Sequence, residues 1–270
     1  MLSIELIFYF YGFLIAASLA SFYTTLGERI LKYFYSPIRK KYSFSEKWKI
    51  IFSKPSACEN CNTNIKAISL FPVLGYLFAF GKCKTCGVNV SYHYPLIEFI
   101  FGVLFCILFY FTNNLLFSFA FLFLLGHVLV SMITDYKKFS LDYENLPFIL
   151  FFGVLSNFYL YEQFPDIYDY AVLGGFVGMY VILWIIYPKG IGLGDVIFAP
   201  IYAFLCGHPY WIIFLNSSYI FAITWAFLAR KKGENIRNKP IPMGFFFGFG
   251  ILLSFIYKAY ILNSKSNFVF

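Results

Sequence analysis

Long apolar runs recur along this chain so regularly that they exclude an ordinary soluble globule. Of its 270 residues, 60% are hydrophobic and 13% charged, whereas a soluble domain carries about 25% charged residues. Eight runs approach the roughly 17–25 residues that a helix needs to cross a bilayer. They are Leu2 to Thr25, Pro95 to Phe111, Leu115 to Thr134, Leu146 to Tyr161, Tyr170 to Tyr187, Val196 to Gly207, Tyr210 to Ala229 and Met243 to Leu262. The sixth is short and contains Pro200, so it is expected to tilt or break. The expectation is an all-α, polytopic bundle of about eight spans with a small zinc-binding cytosolic subdomain. The 38 Phe and 23 Tyr read as core and lipid-facing residues rather than as an aromatic binding box.

Charge sets the orientation. The stretches 26–95, 135–146, 188–195 and 230–242 hold 11, 2, 1 and 5 of the 21 Lys and Arg, and eight crossings put all four on one side. The opposite loop carries Glu162, Asp166 and Asp169 and no basic residue. This positive-inside pattern makes the large loop cytosolic and places both termini outside. The net charge of +8 therefore reflects topology, and no nucleic-acid partner is expected. The first run lacks a basic n-region and a small-residue cleavage site, so a retained span is expected there, not a signal peptide. The expected organisation is a first transmembrane helix over 1–25, a cytosolic loop domain over 26–95 and a membrane domain over 96–270.

The loop 26–95 contains Cys58-Glu59-Asn60-Cys61 and Cys83-Lys84-Thr85-Cys86, with 21 residues between the pairs. Repeated CxxC at this distance is the spacing of a four-thiolate zinc site. A loop of this size builds little core, so metal binding would supply its folding energy. Two disulfides are the alternative, and a reducing cytosol argues against them. Cys106 and Cys206 lie in apolar runs and read as small core residues. Four thiolates already complete a tetrahedron, which leaves His93 outside the set.

With only 13 acidic residues, each can be weighed. Glu162, Asp166 and Asp169 read as solvated outer-loop groups. Glu28, Glu46, Glu59 and Glu234 sit in basic loops and offset charge there, and Glu5 lies near the outer end of the first run. Asp142 precedes Leu146-Pro147 and is expected to cap the next helix. Glu98, early in the second run, is expected either to pair with a basic loop residue or to support the site. Asp135 follows the third run and Asp195 precedes the sixth, so crossing order puts both at the cytosolic membrane edge. Two carboxylates brought together there cannot both ionise easily; the pair can activate water and protonate a carbonyl oxygen. Alone, either would read as a helix cap. Gly192 and Gly194 in Gly-Leu-Gly-Asp leave the backbone free to bend and to approach a substrate strand.

Taken in order, these features resemble the bacterial prepilin peptidase (type IV leader peptidase) family of Gly-x-Gly-Asp intramembrane aspartyl proteases. The resemblance rests on CENC, FPVLGYLFAFGKCKTCG, YPLIEF, ITDYKKFSLD, GLGDV and Lys239-Pro240-Ile241-Pro242-Met243-Gly244. The family's G-S-F-x-N…R run appears as Ala20-Ser21-Phe22-Tyr23-Thr24 with Arg29. Ala20 and Thr24 replace its Gly and Asn, Leu141 stands where Pro is usual, and His93 replaces a basic residue. The resemblance implies that Asp135 and Asp195 are catalytic, with Gly192, Gly194 and Glu98 supporting, and that Cys58, Cys61, Cys83 and Cys86 bind structural zinc. It implies a bacterial inner-membrane enzyme that cleaves the leader of type IV prepilins or type II secretion pseudopilins at the cytosolic face. It further implies methylation of the new N-terminus with S-adenosylmethionine as donor, although no Gly-rich nucleotide loop signals that donor independently. On the residues alone two other classes stay open: a transporter, and a non-catalytic assembly scaffold with a structural zinc loop.

Overall fold

The computed structural model describes residues 2–58, 60–188, 190–230 and 240–267. Glu59, Lys189, Glu234 and Lys239, to which the sequence pattern assigns charge or motif roles, lie outside the described residues. Among the described residues the chain is all-helical, with ten α-helices, three short 3-10 turns and two isolated β-bridges. Among the described residues, six helices are long and apolar enough to cross a membrane. The chain divides into two compact units, Met1–Phe109 and Tyr110–Phe270.

In the first unit, α1 (Leu2–Phe34) runs past the expected end of its span at Thr25. Burial explains the overrun, because Leu26, Ile30 and Leu31 still face the interior, and the helix runs through Gly27 to end before Ser36-Pro37. α2 (Phe44–Ser53) opens on a capping box in which Ser43 and Glu46 exchange side-chain and backbone hydrogen bonds. Glu46 is therefore a cap, not a diffuse charge offset. The rings of Phe34, Phe44 and Phe52 pack around Trp48, and the Arg29 guanidinium donates to the Ile51 carbonyl in the last turn of α2. A short α3 (Leu74–Phe78) follows the first cysteine pair. α4 (His93–Thr112) lies against α1 through reciprocal ring-on-glycine contacts: Phe105 occupies the space over Gly12, and Phe13 the space over Gly102.

The second unit contains α5 (Leu115–Lys138), α6 (Leu146–Tyr161), α7 (Ile167–Ile186), α8 (Leu193–Cys206), α9 (Trp211–Leu228) and α10 (Met243–Asn267). α5 and α8 are its most enclosed elements. Asn145 ties the start of α6 to α5, giving Nδ2 to the His127 carbonyl at 2.5 Å and to Ser131 Oγ at 3.2 Å. At 14 residues, or roughly 21 Å of helix, α8 is too short to span, so its C-terminal carbonyls would end among apolar side chains. Asn157 from α6 and Lys258 from α10 both donate to the Leu205 carbonyl, at 2.8 and 3.2 Å, and Lys258 also donates to Asn157 Oδ1 at 2.7 Å. The outer-loop acids are not simply solvated. Asp166 and Asp169 form the capping box of α7, and Asp169 Oδ1 accepts from the His208 amide at 3.0 Å. A carboxylate that accepts amide hydrogens at a helix start is held by the unpaired donors there.

Candidate active site

Asp135 and Asp195 come from opposite ends of two helices. Asp135 lies inside the last turn of α5, not beyond it, and is only 6% exposed. Phe139 ends that helix in the left-handed region, its amide donating to the Asp135 carbonyl at 2.8 Å. Asp195 sits half-buried in the first turn of α8, after an N-cap at Gly192. The two carboxylates lie close enough for their charges to repel one another.

Two features hold this arrangement. The first is the start of α10: the Phe245 amide donates to Asp135 Oδ2 at 3.1 Å, and the Gly244 amide donates to the same carboxylate. First-turn amides have no partner within their own helix, and the helix N-terminus is its positive end, so an acceptor carboxylate satisfies both needs. The second is Leu141, which is 3% exposed and wedged between α8 and α10. A Cβ on Gly194 would meet Leu141 Cδ1 at 3.1 Å. One on Gly244 would meet Leu141 Cδ2 at 2.5 Å and Asp135 Oδ2 at 3.0 Å. Small residues at these two positions let both helices close on Leu141, and that closure sets the spacing of the acids.

Several expectations change here. Gly192 has an ordinary extended backbone, with φ −72° and ψ 146°, and Gly194 is helical. Their value is space, not unusual dihedral freedom. A Cβ on Gly192 would sit 3.5 Å from Asp195 Oδ2, which is normal contact, so its absence keeps one side of that carboxylate open. Asp142 does not close the expected side-chain cap. It is 8% exposed, and burial, reinforced by the Glu144 charge, pushes its carboxyl up to about 6. Gly244 and Phe245, which grip Asp135, carry no assigned role in the sequence pattern; the Pro-Ile-Pro-Met-Gly run was the available signal. Tyr143 gave no such signal, yet its ring packs on Phe198, and its phenol feels the Asp195 charge.

Glu98 is committed within the first unit and has no basic partner there among the described contacts. It accepts the Val73 amide at 2.7 Å and a hydrogen bond from Ser21. Val73 needs that support because its φ is 59°, a conformation costly for a β-branched residue.

The cysteines form two copies of one knuckle. In the first, the Cys58 amide donates to the Thr63 carbonyl at 3.0 Å and the Asn62 amide to the Cys58 carbonyl at 2.9 Å. In the second, the Cys83 amide donates to the Val88 carbonyl at 2.8 Å and the Gly87 amide to the Cys83 carbonyl at 2.9 Å. The bridges Ala57–Asn64 and Lys82–Asn89 close them. The left-handed turn falls on Asn62 and Gly87, with φ 55° and 69°, residue types that tolerate it. The four sulfurs lie within 4.8 Å of one another, with Cys58–Cys86 at 3.8 Å and Cys61–Cys83 at 3.9 Å. A tetrahedral ion with metal–sulfur bonds of about 2.3 Å places its sulfurs roughly 3.8 Å apart, so the cluster can hold a metal ion. Amide donors at Cys86 and Thr85 lower the Cys83 thiol to about 6, toward the thiolate that a metal needs. Cys206 is buried and Cys106 half-buried, away from this set.

Comparison with known proteins follows the same division. Residues 14–112 match the Bacterial Peptidase A24 N-terminal domain, which includes all four clustered cysteines. Residues 122–227 match the Type IV leader peptidase family and include both aspartates. A prepilin leader peptidase/N-methyltransferase of Dichelobacter nodosus is 31% identical over 219 residues, covering 76% of this chain and 72% of that protein. One from Bacillus subtilis is 26% identical over 261 residues, covering 93% and 95%. One from Aeromonas salmonicida is 32% identical over 200 residues, covering 70% and 66%. No solved structure matches the chain. With two domain matches in sequence order and these full-order relatives, the chain belongs to the type IV leader peptidase family.

Proposed function

We propose that this chain is an aspartic endopeptidase of the bacterial inner membrane. It removes the leader from type IV prepilins or type II secretion pseudopilins at the cytosolic face and methylates the new N-terminus. The observation that carries the proposal is that Leu141 seats both Gly194, the neighbour of Asp195, and Gly244, which lies against Asp135, so that the ends of α5, α8 and α10 meet with both acids. The relatives' names, which pair leader peptidase with N-methyltransferase, support both activities.

Where two carboxylates oppose one another's charge, one keeps a proton more easily than both ionise. One takes a proton from water as its oxygen attacks the scissile carbonyl carbon. The other donates a proton to the carbonyl oxygen. When the tetrahedral intermediate collapses, the C–N bond breaks, the proton held by the first acid passes to the leaving amine, and the second acid takes back a hydroxyl proton as the carboxylic acid forms. The α10 amides hold Asp135 in place through this cycle, and Leu141 holds α8 and its acid in register. The substrate's apolar helix occupies the bilayer and its basic leader stays on the cytosolic side, where the clustered Lys and Arg of this chain place its own large loop.

The four sulfurs suit Zn2+, with Cys58, Cys61, Cys83 and Cys86 as a closed ligand set. No position is left for water, so the ion's role is structural. S-adenosylmethionine, when bound, would supply a sulfonium methyl for transfer to the new N-terminal amine.

Purified Asp135→Asn and Asp195→Asn variants test the peptidase step. Each is expected to keep wild-type helicity and to lose prepilin cleavage. Normal processing by either variant counts decisively against the assignment. Mass spectrometry of a co-expressed prepilin reads leader loss and the added methyl together.

A further inference from the structure

Between the two cysteine knuckles lie fifteen residues, 67–81, without one charged side chain, bounded by Lys66 and Lys82. An apolar run of this length is too short to span a bilayer and fits a re-entrant or interfacial segment. Its ends cannot part across a membrane, because the knuckles before and after it bring their four sulfurs within 4.8 Å of one another. The segment therefore leaves on the side from which it enters. It folds as a 3-10 turn, Ala67–Leu70, followed by α3. Its apolar side chains turn outward: Ile68, Leu74, Leu77 and Phe78 are exposed, and Phe80 is 87% exposed. Contiguous apolar exposure of this kind marks a surface that meets a membrane or a partner.

Two observations place the segment beside the spanning helices of its own unit rather than above them. The Val73 amide donates to Glu98 at 2.7 Å, and Ser21 bonds the same carboxylate. Ser21 belongs to α1 and Glu98 to α4, both apolar enough to span. Ser21 stands eight residues before Arg29, the first basic residue of the chain, which is roughly 12 Å deeper along the helix. Independently, Leu70 and Pro72 share the walls of one cavity with Ser18, Ser21, Phe22 and Thr25 of α1. Backbone at membrane depth must satisfy its polar groups internally. The amides of Leu74, Gly75, Leu77, Ala79, Phe80 and Gly81 all donate to carbonyls of the segment itself. Gly75 permits that compaction, since a Cβ there would meet the Ser69 carbonyl oxygen at 2.6 Å. Lys66 and Lys82, both exposed, can lay their stems along the segment and keep their ammonium groups in the headgroup layer.

We propose that residues 67–81 dip into the bilayer from the side of the knuckles and pack Ile68, Leu74, Leu77, Phe78 and Phe80 among lipid acyl chains, anchoring the cysteine cluster at the headgroup surface. The proposal goes beyond the peptidase reading and holds whichever face of the membrane the knuckles occupy. The test uses the full-length protein in lipid nanodiscs, with 4-trifluoromethylphenylalanine in place of one residue at a time. The probed positions are Phe78 and Phe80. Tyr11, exposed on α1, is the lipid reference, and Thr85, exposed in the second knuckle, is the water reference. Each labelled protein is first shown to keep wild-type helicity. Fluorine relaxation is then measured with dissolved oxygen, which concentrates among acyl chains, and with a charged nickel chelate, which stays in water. Because hydrocarbon excludes charge, the ratio of oxygen to nickel relaxation at Phe78 and Phe80 is expected to match Tyr11 and to exceed Thr85 by at least about tenfold. A ratio at Phe80 equal to that at Thr85 overturns the proposal, because the segment then lies in water. Protection from both reagents also overturns it, because protein, whether a second copy or a bound client, then covers the face. Prepilin cleavage is not a readout here, so failure of this proposal leaves the aspartate assignment standing.

Discussion

The close approach at Gly244 yields a graded prediction. Replacing it with Ala puts a methyl 2.5 Å from Leu141 Cδ2 and 3.0 Å from Asp135 Oδ2. Carbon atoms at rest keep about 3.5–4.0 Å apart, so roughly 1 Å of movement must be found. Leu141 is buried between two helices and Asp135 is held by the α10 amides, so the movement falls on the acid or on the start of α10. Misplacement of about 1 Å commonly costs on the order of 10²-fold in rate. Overpacking itself costs about 1–3 kcal/mol, or about 2–4 °C in Tm per kcal/mol for a unit of this size. The assay is kcat/KM on a purified prepilin alongside a thermal melt. Gly244→Ala is expected to lose about a hundredfold in cleavage while remaining folded. Gly194→Ala, whose methyl meets Leu141 at 3.1 Å, is expected to lose less, and Gly192→Ala, at 3.5 Å from Asp195 Oδ2, least. The double variant Gly244→Ala/Leu141→Ala restores room and is expected to recover part of the loss. Wild-type turnover in Gly244→Ala, or the reverse order among the three glycines, refutes the wedge as the device that spaces the acids.

Three further outcomes follow from the geometry. Elemental analysis is expected to find one zinc ion per chain, and Cys83→Ser or strong chelation is expected to abolish it and to raise hydrogen exchange across residues 57–89. Asp142 binds its proton more tightly when folded, with the carboxyl at about 6 against an ordinary value near 3.9. The folded state therefore carries a penalty that is full above the folded value, on the order of 2–3 kcal/mol, and fades as pH falls from 6 toward 4. Asp142→Asn is expected to be more stable than wild type at pH 7.5, with the Tm gap closing by about pH 4; a gap independent of pH contradicts this. Lys258→Met leaves the Leu205 carbonyl and Asn157 Oδ1 short of a donor that both now share, and a loss of about 1.5–3 kcal/mol is expected in chemical denaturation.

Features that depend on neighbouring residues were legible in advance. The two knuckles follow from CxxC, with Asn or Gly next in line, because all their backbone bonds close within a few residues. The apolar helices follow from the length of the apolar runs, since that is a property of single segments. Asp135 and Asp195 stood out because few acids border apolar runs. Less legible were features created by contact between distant segments. The overrun of α1 depends on what covers Leu26 and Ile30. The burial of Asp142 depends on elements that no local pattern announces, and its expected capping role gave way to that burial.

The amino-acid sequence by itself determined a helical membrane chain, a four-sulfur knuckle pair and two acids at span ends, because hydropathy, turn chemistry and charge act over short stretches. Only the tertiary structure decided how far apart those acids stand. That spacing depends on Leu141 seated between Gly194 and Gly244, and on amides from a helix 110 residues beyond Asp135. Steric fit of that kind arises between surfaces, and no surface exists until the helices have packed.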